Sequence, residues 1–130
     1  MSQAYKPEGH NAVSPYLLVS DVKQLLAFVS RTFDAQELSR WELPDGTLKH
    51  VEVRIDDTVL MMGERPVTQL TMTGSVHVYV PDVDATFNKA LNAGATAIVE
   101  PRDQPYGDRT AGVQDLEGNY WWIGTRLGRS

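Results

Sequence analysis

The chain has 130 residues, 42% of them hydrophobic, and a formal charge of −5, which suits one domain with its own core and excludes the basic stripe that nucleic-acid binding requires. It has no cysteine, so there is no disulfide framework, no thiolate nucleophile and no cysteine-ligated metal. Nothing approaches 18 consecutive apolar residues and no basic segment precedes an apolar run at the start, so a cytoplasmic protein without membrane contact is expected.

Residues 1–13 (MSQAYKPEGHNAV) read as a polar arm, and a first module is expected over 14–63. Pro15–Val19 is a short apolar strand, followed by Asp21, a residue type that caps helices. Val22, Leu25, Leu26, Val29 and Phe33 then recur at the i, i+3, i+4, i+7 spacing of an amphipathic helix. Strands are predicted over Gln36–Leu43, Leu48–Ile55 and Thr58–Met62, joined by turns at Pro44-Asp45-Gly46 and Asp56-Asp57. Residues 64–74 lack periodicity and read as a linker. A second module over 75–125 follows the same plan. Val76–Val80 is its first strand, Asp82 its cap, and Val83, Phe87, Ala90 and Leu91 its inward helix face. Gly94 closes that helix as left-handed C-caps prefer. Strands follow near Thr96–Pro101, Arg109–Gln114 and Tyr120–Thr125, the last two joined by Asp115-Leu116-Glu117-Gly118, and 126–130 form a tail.

The two modules are copies. SPYLLVSDV at Ser14 returns as SVHVYVPDV at Ser75, an offset of 61 residues that also relates Asp21 to Asp82 and Leu26 to Phe87. Self-similarity of this kind marks a duplicated unit, and equivalent positions of the two halves are where a shared pocket is sought.

A strand–helix–three-strand unit present twice, with DV after each first strand and D-x-x-G-N before the last, resembles the vicinal oxygen chelate superfamily. That group holds glyoxalase I, extradiol dioxygenases, and fosfomycin- and bleomycin-resistance proteins. The stretches DGTLKHVEVRIDDTVLMMGE and YGDRTAGVQDLEGNYWW look most like its PhnB-like branch. The resemblance covers roughly Ser14 to Gly124 and implies an α+β fold: two tandem βαβββ modules forming curved mixed sheets around a cleft, often completed in a homodimer. It also implies where metal enzymes of the group place their ligands. Those positions fall on Ser14, Met61, Ser75 and Trp122. Two hydroxyls, a thioether and an indole cannot replace carboxylates and imidazoles, so no metal and no other cofactor is expected at the family's site.

Strand parity adds a second route to the cavity, because residues opposite in a hairpin share a face. Across the Asp56-Asp57 turn, His50, Glu52 and Arg54 fall on the face of Met61. Counting across 115–118 in the same way pairs Ala111 with Trp122 and puts Arg109 on the cavity face. Tyr16, and His77 with Tyr79, follow the two serines. The expected ligand-binding set is therefore Tyr16, Arg54, His77, Tyr79, Arg109, Tyr120 and Trp122, with His50, Glu52 and His77 as candidates for catalysis. Each residue has a plainer reading. His77 among valines equally fits a buried structural histidine, and His50 and Glu52 equally fit a wet strand face. Asp108 and Arg109 are expected to pair with each other. Trp121 and Trp122 must point oppositely, one of them inward.

These features favour a metal-free, homodimeric binder of a small aromatic or cationic molecule. An enzyme of the same superfamily with a displaced metal at His50, Glu52 and His77 is the alternative; a vestigial pocket on an interaction module is a third reading. For the dimer surface, parity suggests Val19, Leu60, Met62 and Ile123 with Trp121, unless helices cover that stripe.

Overall fold

The computed structural model describes residues 5–65 and 73–127. Most of the expected linker, along with the extreme ends of the arm and tail, lies outside the described residues. The elements run β1 (Tyr16–Val19), α1 (Val22–Phe33), β2 (Gln36–Glu42), β3 (Leu48–Ile55), β4 (Thr58–Glu64), β5 (Ser75–Tyr79), α2 (Val83–Asn92), β6 (Thr96–Asp103), β7 (Asp108–Gln114) and β8 (Tyr120–Arg126). They form two mixed four-stranded sheets, ordered β1-β4-β3-β2 and β5-β8-β7-β6. The duplicated α+β plan is therefore present.

The repeat is visible in the details that start each helix. Asp21 accepts from Gln24 N and Asp82 from Ala85 N, both at 3.2 Å, each satisfying a backbone donor that the first helical turn leaves free. In each module the first strand runs parallel to the last, Tyr16 beside Met61 and His77 beside Trp122.

One core serves both sheets. Phe28 and Phe33 of α1 pack on Trp121 of β8, with ring centroids 5.7 and 5.3 Å apart, so α1 bridges its own sheet and the other. Val19, Leu60, Met62, Trp121 and Ile123 are buried in this core. The stripe proposed from parity as a dimer surface is thus the chain's own interior: apolar helix faces cover it within the monomer. Glu117 ties the modules together, accepting from Ser20 N and Oγ and from Asp21 N at 2.9–3.1 Å, where the N-terminus of α1 favours a carboxylate.

The two closing hairpins differ. Asp56-Asp57 is a two-residue turn, with Ile55 opposite Thr58 and Asp56 at φ 54°. The β7–β8 connection is five residues long, with Gln114 opposite Tyr120. Buried Asp115 organises it, accepting from Glu117 N, Asn119 N and Trp121 Nε1 at 2.8–2.9 Å. The odd length shifts the copy. Trp122 stands where Met61 does, an offset of 61, but Gly112 stands where Glu52 does, an offset of 60. A one-residue slip turns every side chain of a strand to the opposite face.

Candidate functional site

Because the helix-side faces of both sheets share one core, each sheet's other face is turned outward. On the first sheet β3 and β4 pair as parity predicts: His50 opposite Gly63, Glu52 opposite Met61, Arg54 opposite Val59. Tyr16 lies over Gly63, where an added Cβ would come within 2.7 Å of its Oη. Glu52 is the centre of a polar cluster. Its Oε1 accepts from His10 Nε2 at 2.7 Å and its Oε2 from His50 Nε2 at 3.1 Å. Tyr16 Oη stands 3.5 Å from His50 Nδ1, the rings meeting edge-on. The hydrogen bond from His10, then that from His50, hold the Glu52 carboxyl below the usual carboxylate range against the opposing effect of burial. An ionised carboxylate only accepts, so both imidazoles present Nε2–H to it.

His10 comes from the arm, which therefore lies against this face rather than apart from it. Asn11 Oδ1 accepts from Val59 N at 3.4 Å. Gly9, at φ +85°, leaves room for the Arg54 guanidinium, whose Nη2 would meet a Cβ there at 2.7 Å. Trp41 of β2 stands beside His50 and is 60% exposed. Neither His10 nor Trp41 was identified from the sequence. His10 lies in a segment without periodicity, and Trp41 is the only aromatic in a strand whose other residues, Leu38 apart, are polar or charged; an exposed tryptophan there was the available signal.

The second sheet's outward face is aromatic. Tyr120 and Trp122 lie nearly parallel, 16° between planes with centroids 6.3 Å apart, and His77 meets Tyr79 at 4.6 Å. Trp122 Nε1 donates to Ser75 Oγ at 2.9 Å, and Tyr79 Oη donates to buried Asp108 at 2.7 Å; that carboxylate pushes the Tyr79 hydroxyl above its ordinary value. Glycines form the bed of this face. A Cβ on Gly112 would lie 2.5 Å from the Trp122 ring, and one on Gly124 3.1 Å from His77 Nε2. Gly124 is the repeat of Gly63, as His77 is of Tyr16. His77 is exposed, which excludes the buried structural reading.

Arg109 does not join them. The odd connection turns it to the helix side, where it donates to Asp84 at 2.9 and 3.0 Å and to Asp103 at 3.1 Å. Its expected partner Asp108 binds Tyr79 instead. Trp121 is the inward tryptophan and Trp122 the outward one.

The residues at the four ligand positions do not fit a divalent cation. Trp122 offers only a donor, already bonded to Ser75; Met61 offers a thioether; Ser14 Oγ is buried without a partner and is a lone hydroxyl. The displaced set fares no better. His77 lies on the other sheet, and Glu52 stands between His10 and His50, so these donors point at one another and not at a common centre. Among the described residues no group of three or more His, Cys, Asp or Glu is arranged to hold a metal. A recess of about 310 Å³ opens between the β3–β4 turn and β5, lined by Ile55, Leu60, Val76, Val78 and Trp121 with His77 and Tyr79. Among the described residues no helix is long and apolar enough to cross a membrane.

Comparison with known proteins agrees with this architecture. A solved structure of TioX from Micromonospora sp. ML1 superposes with a TM-score of 0.77 at 27% identity, covering 90% of this chain and 99% of that one. The fosfomycin resistance protein FosX from Listeria monocytogenes gives 0.69 at 16% identity, covering 88% and 92%, and speaks to the fold alone. Uncharacterized proteins of Mycobacterium bovis and Mycobacterium tuberculosis are 40% identical over 124 residues, covering 87% of this chain and 82% and 73% of theirs. The model of the Glyoxalase/Bleomycin resistance protein/Dioxygenase superfamily matches residues 10–123, and the chain belongs to that superfamily.

Proposed function

We propose that this protein binds a planar aromatic small molecule, cationic ligands included, without a metal, in the manner of the bleomycin-resistance branch of its superfamily. The observation that carries this reading is the outward aromatic face. Tyr120, Trp122, His77 and Tyr79 stand together on a glycine bed, all four held by hydrogen bonds or ring contacts that fix their planes. Fixed aromatic faces stack on planar groups and attract cations. The first sheet's outward face, with Tyr16, His50, Glu52, Arg54 and Trp41, supplies polar groups and the rings of Tyr16 and Trp41. In our reading the working protein is a homodimer, in which the aromatic face of one copy meets the polar face of the other. Both outward faces are open in the single chain, and a cleft with two walls needs both.

The test is tryptophan-fluorescence titration with planar dyes, acridine orange and its neutral analogue acridine among them. We expect binding to the wild type that weakens roughly tenfold or more in Trp122→Ala, the loss of one desolvated stacking contact, with the circular-dichroism spectrum retained. Equal binding by Trp122→Ala, or no binding by any dye, overturns the reading.

A further inference from the structure

The geometry points to a metal-free proton-transfer site on the first sheet, formed by Tyr16, His50, Glu52 and His10. Tyr16 Oη meets His50 Nδ1 at 3.5 Å, His50 Nε2 meets Glu52 Oε2 at 3.1 Å, and Glu52 Oε1 meets His10 Nε2 at 2.7 Å. The chain runs from wet to sheltered. Tyr16 is 52% exposed, whereas the side chains of Glu52 and His10 are 18% and 10% exposed. An accessible hydroxyl, an imidazole and a sheltered carboxylate in series is the arrangement that activates a hydroxyl toward a ligand. The carboxylate fixes the tautomer: with Nε2–H directed at Glu52, the Nδ1 lone pair is left facing Tyr16. An ion cluster that served only to pin the arm would need His10 and Glu52, and would have no use for His50 or for a tyrosine turned edge-on to it. The Tyr16–His50 separation is long for a hydrogen bond, as such contacts commonly are before a ligand compresses them.

The chemistry is proton exchange, and no electrons move. Tyr16 Oη takes a proton from a ligand hydroxyl, or from a carbon beside a carbonyl, as its own proton passes to His50 Nδ1. The imidazolium so formed lies against Glu52. Reversal returns a proton to the ligand at the same atom or a neighbouring one, giving exchange or isomerisation. The ligand class is an aromatic molecule carrying a phenol or an enolisable carbonyl. Tyr16 and His50 are the catalytic pair; Glu52 and His10 are positioning residues. This inference uses the proposed binding reading only to choose the ligand class, since the reactivity of Tyr16 belongs to the free protein.

The test is labelling with benzenesulfonyl fluoride, read tyrosine by tyrosine through peptide mass spectrometry. An oxygen–sulfur bond forms at Tyr16, sulfur–fluorine breaks, fluoride leaves and the proton goes to His50. Tyr5 and Tyr106, 88% and 63% exposed, are more accessible than Tyr16 and serve as internal references. We expect Tyr16 to label at least about tenfold faster than Tyr106, a conservative share of what a positioned base supplies. The rate should fall to that of Tyr106 in His50→Asn and to an intermediate value in Glu52→Gln. The circular-dichroism spectrum of each variant reports whether the fold is kept. Labelling of Tyr16 no faster than Tyr106, or unchanged in His50→Asn, overturns the proposal, and does so whether or not the dyes bind.

Discussion

Glu52 is held by two imidazoles that arrive from different parts of the chain, 42 residues and two residues away in sequence. Its carboxyl is lowered chiefly by the hydrogen bond from His10 and next by that from His50. A carboxyl lowered on folding stabilises the native state above the unfolded value and loses that contribution as pH falls through the native one. The window therefore lies below the ordinary value of 4.5. Glu52→Gln removes the linkage and leaves His10, with its Nδ1 buried and unpartnered, without its charged acceptor. We expect the variant's melting temperature to lie below the wild type's at neutral pH, with the gap closing as the pH falls below 4.5. Thermal melts of both proteins across that range decide it: a gap that stays constant down to acid pH would show that Glu52 contributes packing and not charge.

At the scale of elements, β7 and β8 form the wall on which the binding reading depends, and Gly112 is its least replaceable position. The Trp122 ring lies against the Gly112 backbone while its Nε1 is anchored on Ser75. A methyl group at 2.5 Å from that ring cannot be absorbed by a side chain fixed at its other end. We expect Gly112→Ala to cost about 1–3 kcal/mol, the range for overpacking, and to weaken dye binding as Trp122→Ala does. Urea denaturation beside the fluorescence titration checks both; a variant of wild-type stability and affinity would mean that Trp122 is free to move. The same strands mark the limit of what the sequence discloses. Hydrophobic spacing and the 61-residue offset place the ten elements found among the described residues, and the two-residue turn at Asp56 carries parity correctly into His50, Glu52 and Arg54. The loop at 115–119 hides its odd length, because Asp115 works as an organising acceptor only once the loop is folded. One uncounted residue sent Arg109 to the helix side. His10 was invisible for another reason: an arm with no period shows its partner only when the sheet it lies on exists.

At the scale of the molecule, the duplicated modules pack back to back through α1, so the polar face and the aromatic face cannot meet within one chain. If the binding cleft is built as we propose, each cleft takes the first sheet of one copy and the second sheet of its partner, and a dimer holds two. This arrangement has a consequence that no single-chain cleft shares. Tyr16→Ala damages only the polar wall and Trp122→Ala only the aromatic wall. Each homodimer has two defective clefts. A mixed dimer has one cleft with both walls intact and one with both damaged. Unfolding the two variants together in urea and refolding the mixture should restore wild-type affinity for the dye in the mixed dimers, at one site per two chains. Native mass spectrometry gives the share of mixed dimers, and titration gives the number of restored sites. If binding stays at the level of the separate variants although mixed dimers have formed, each cleft is made by one chain, and the assembly proposed here is wrong.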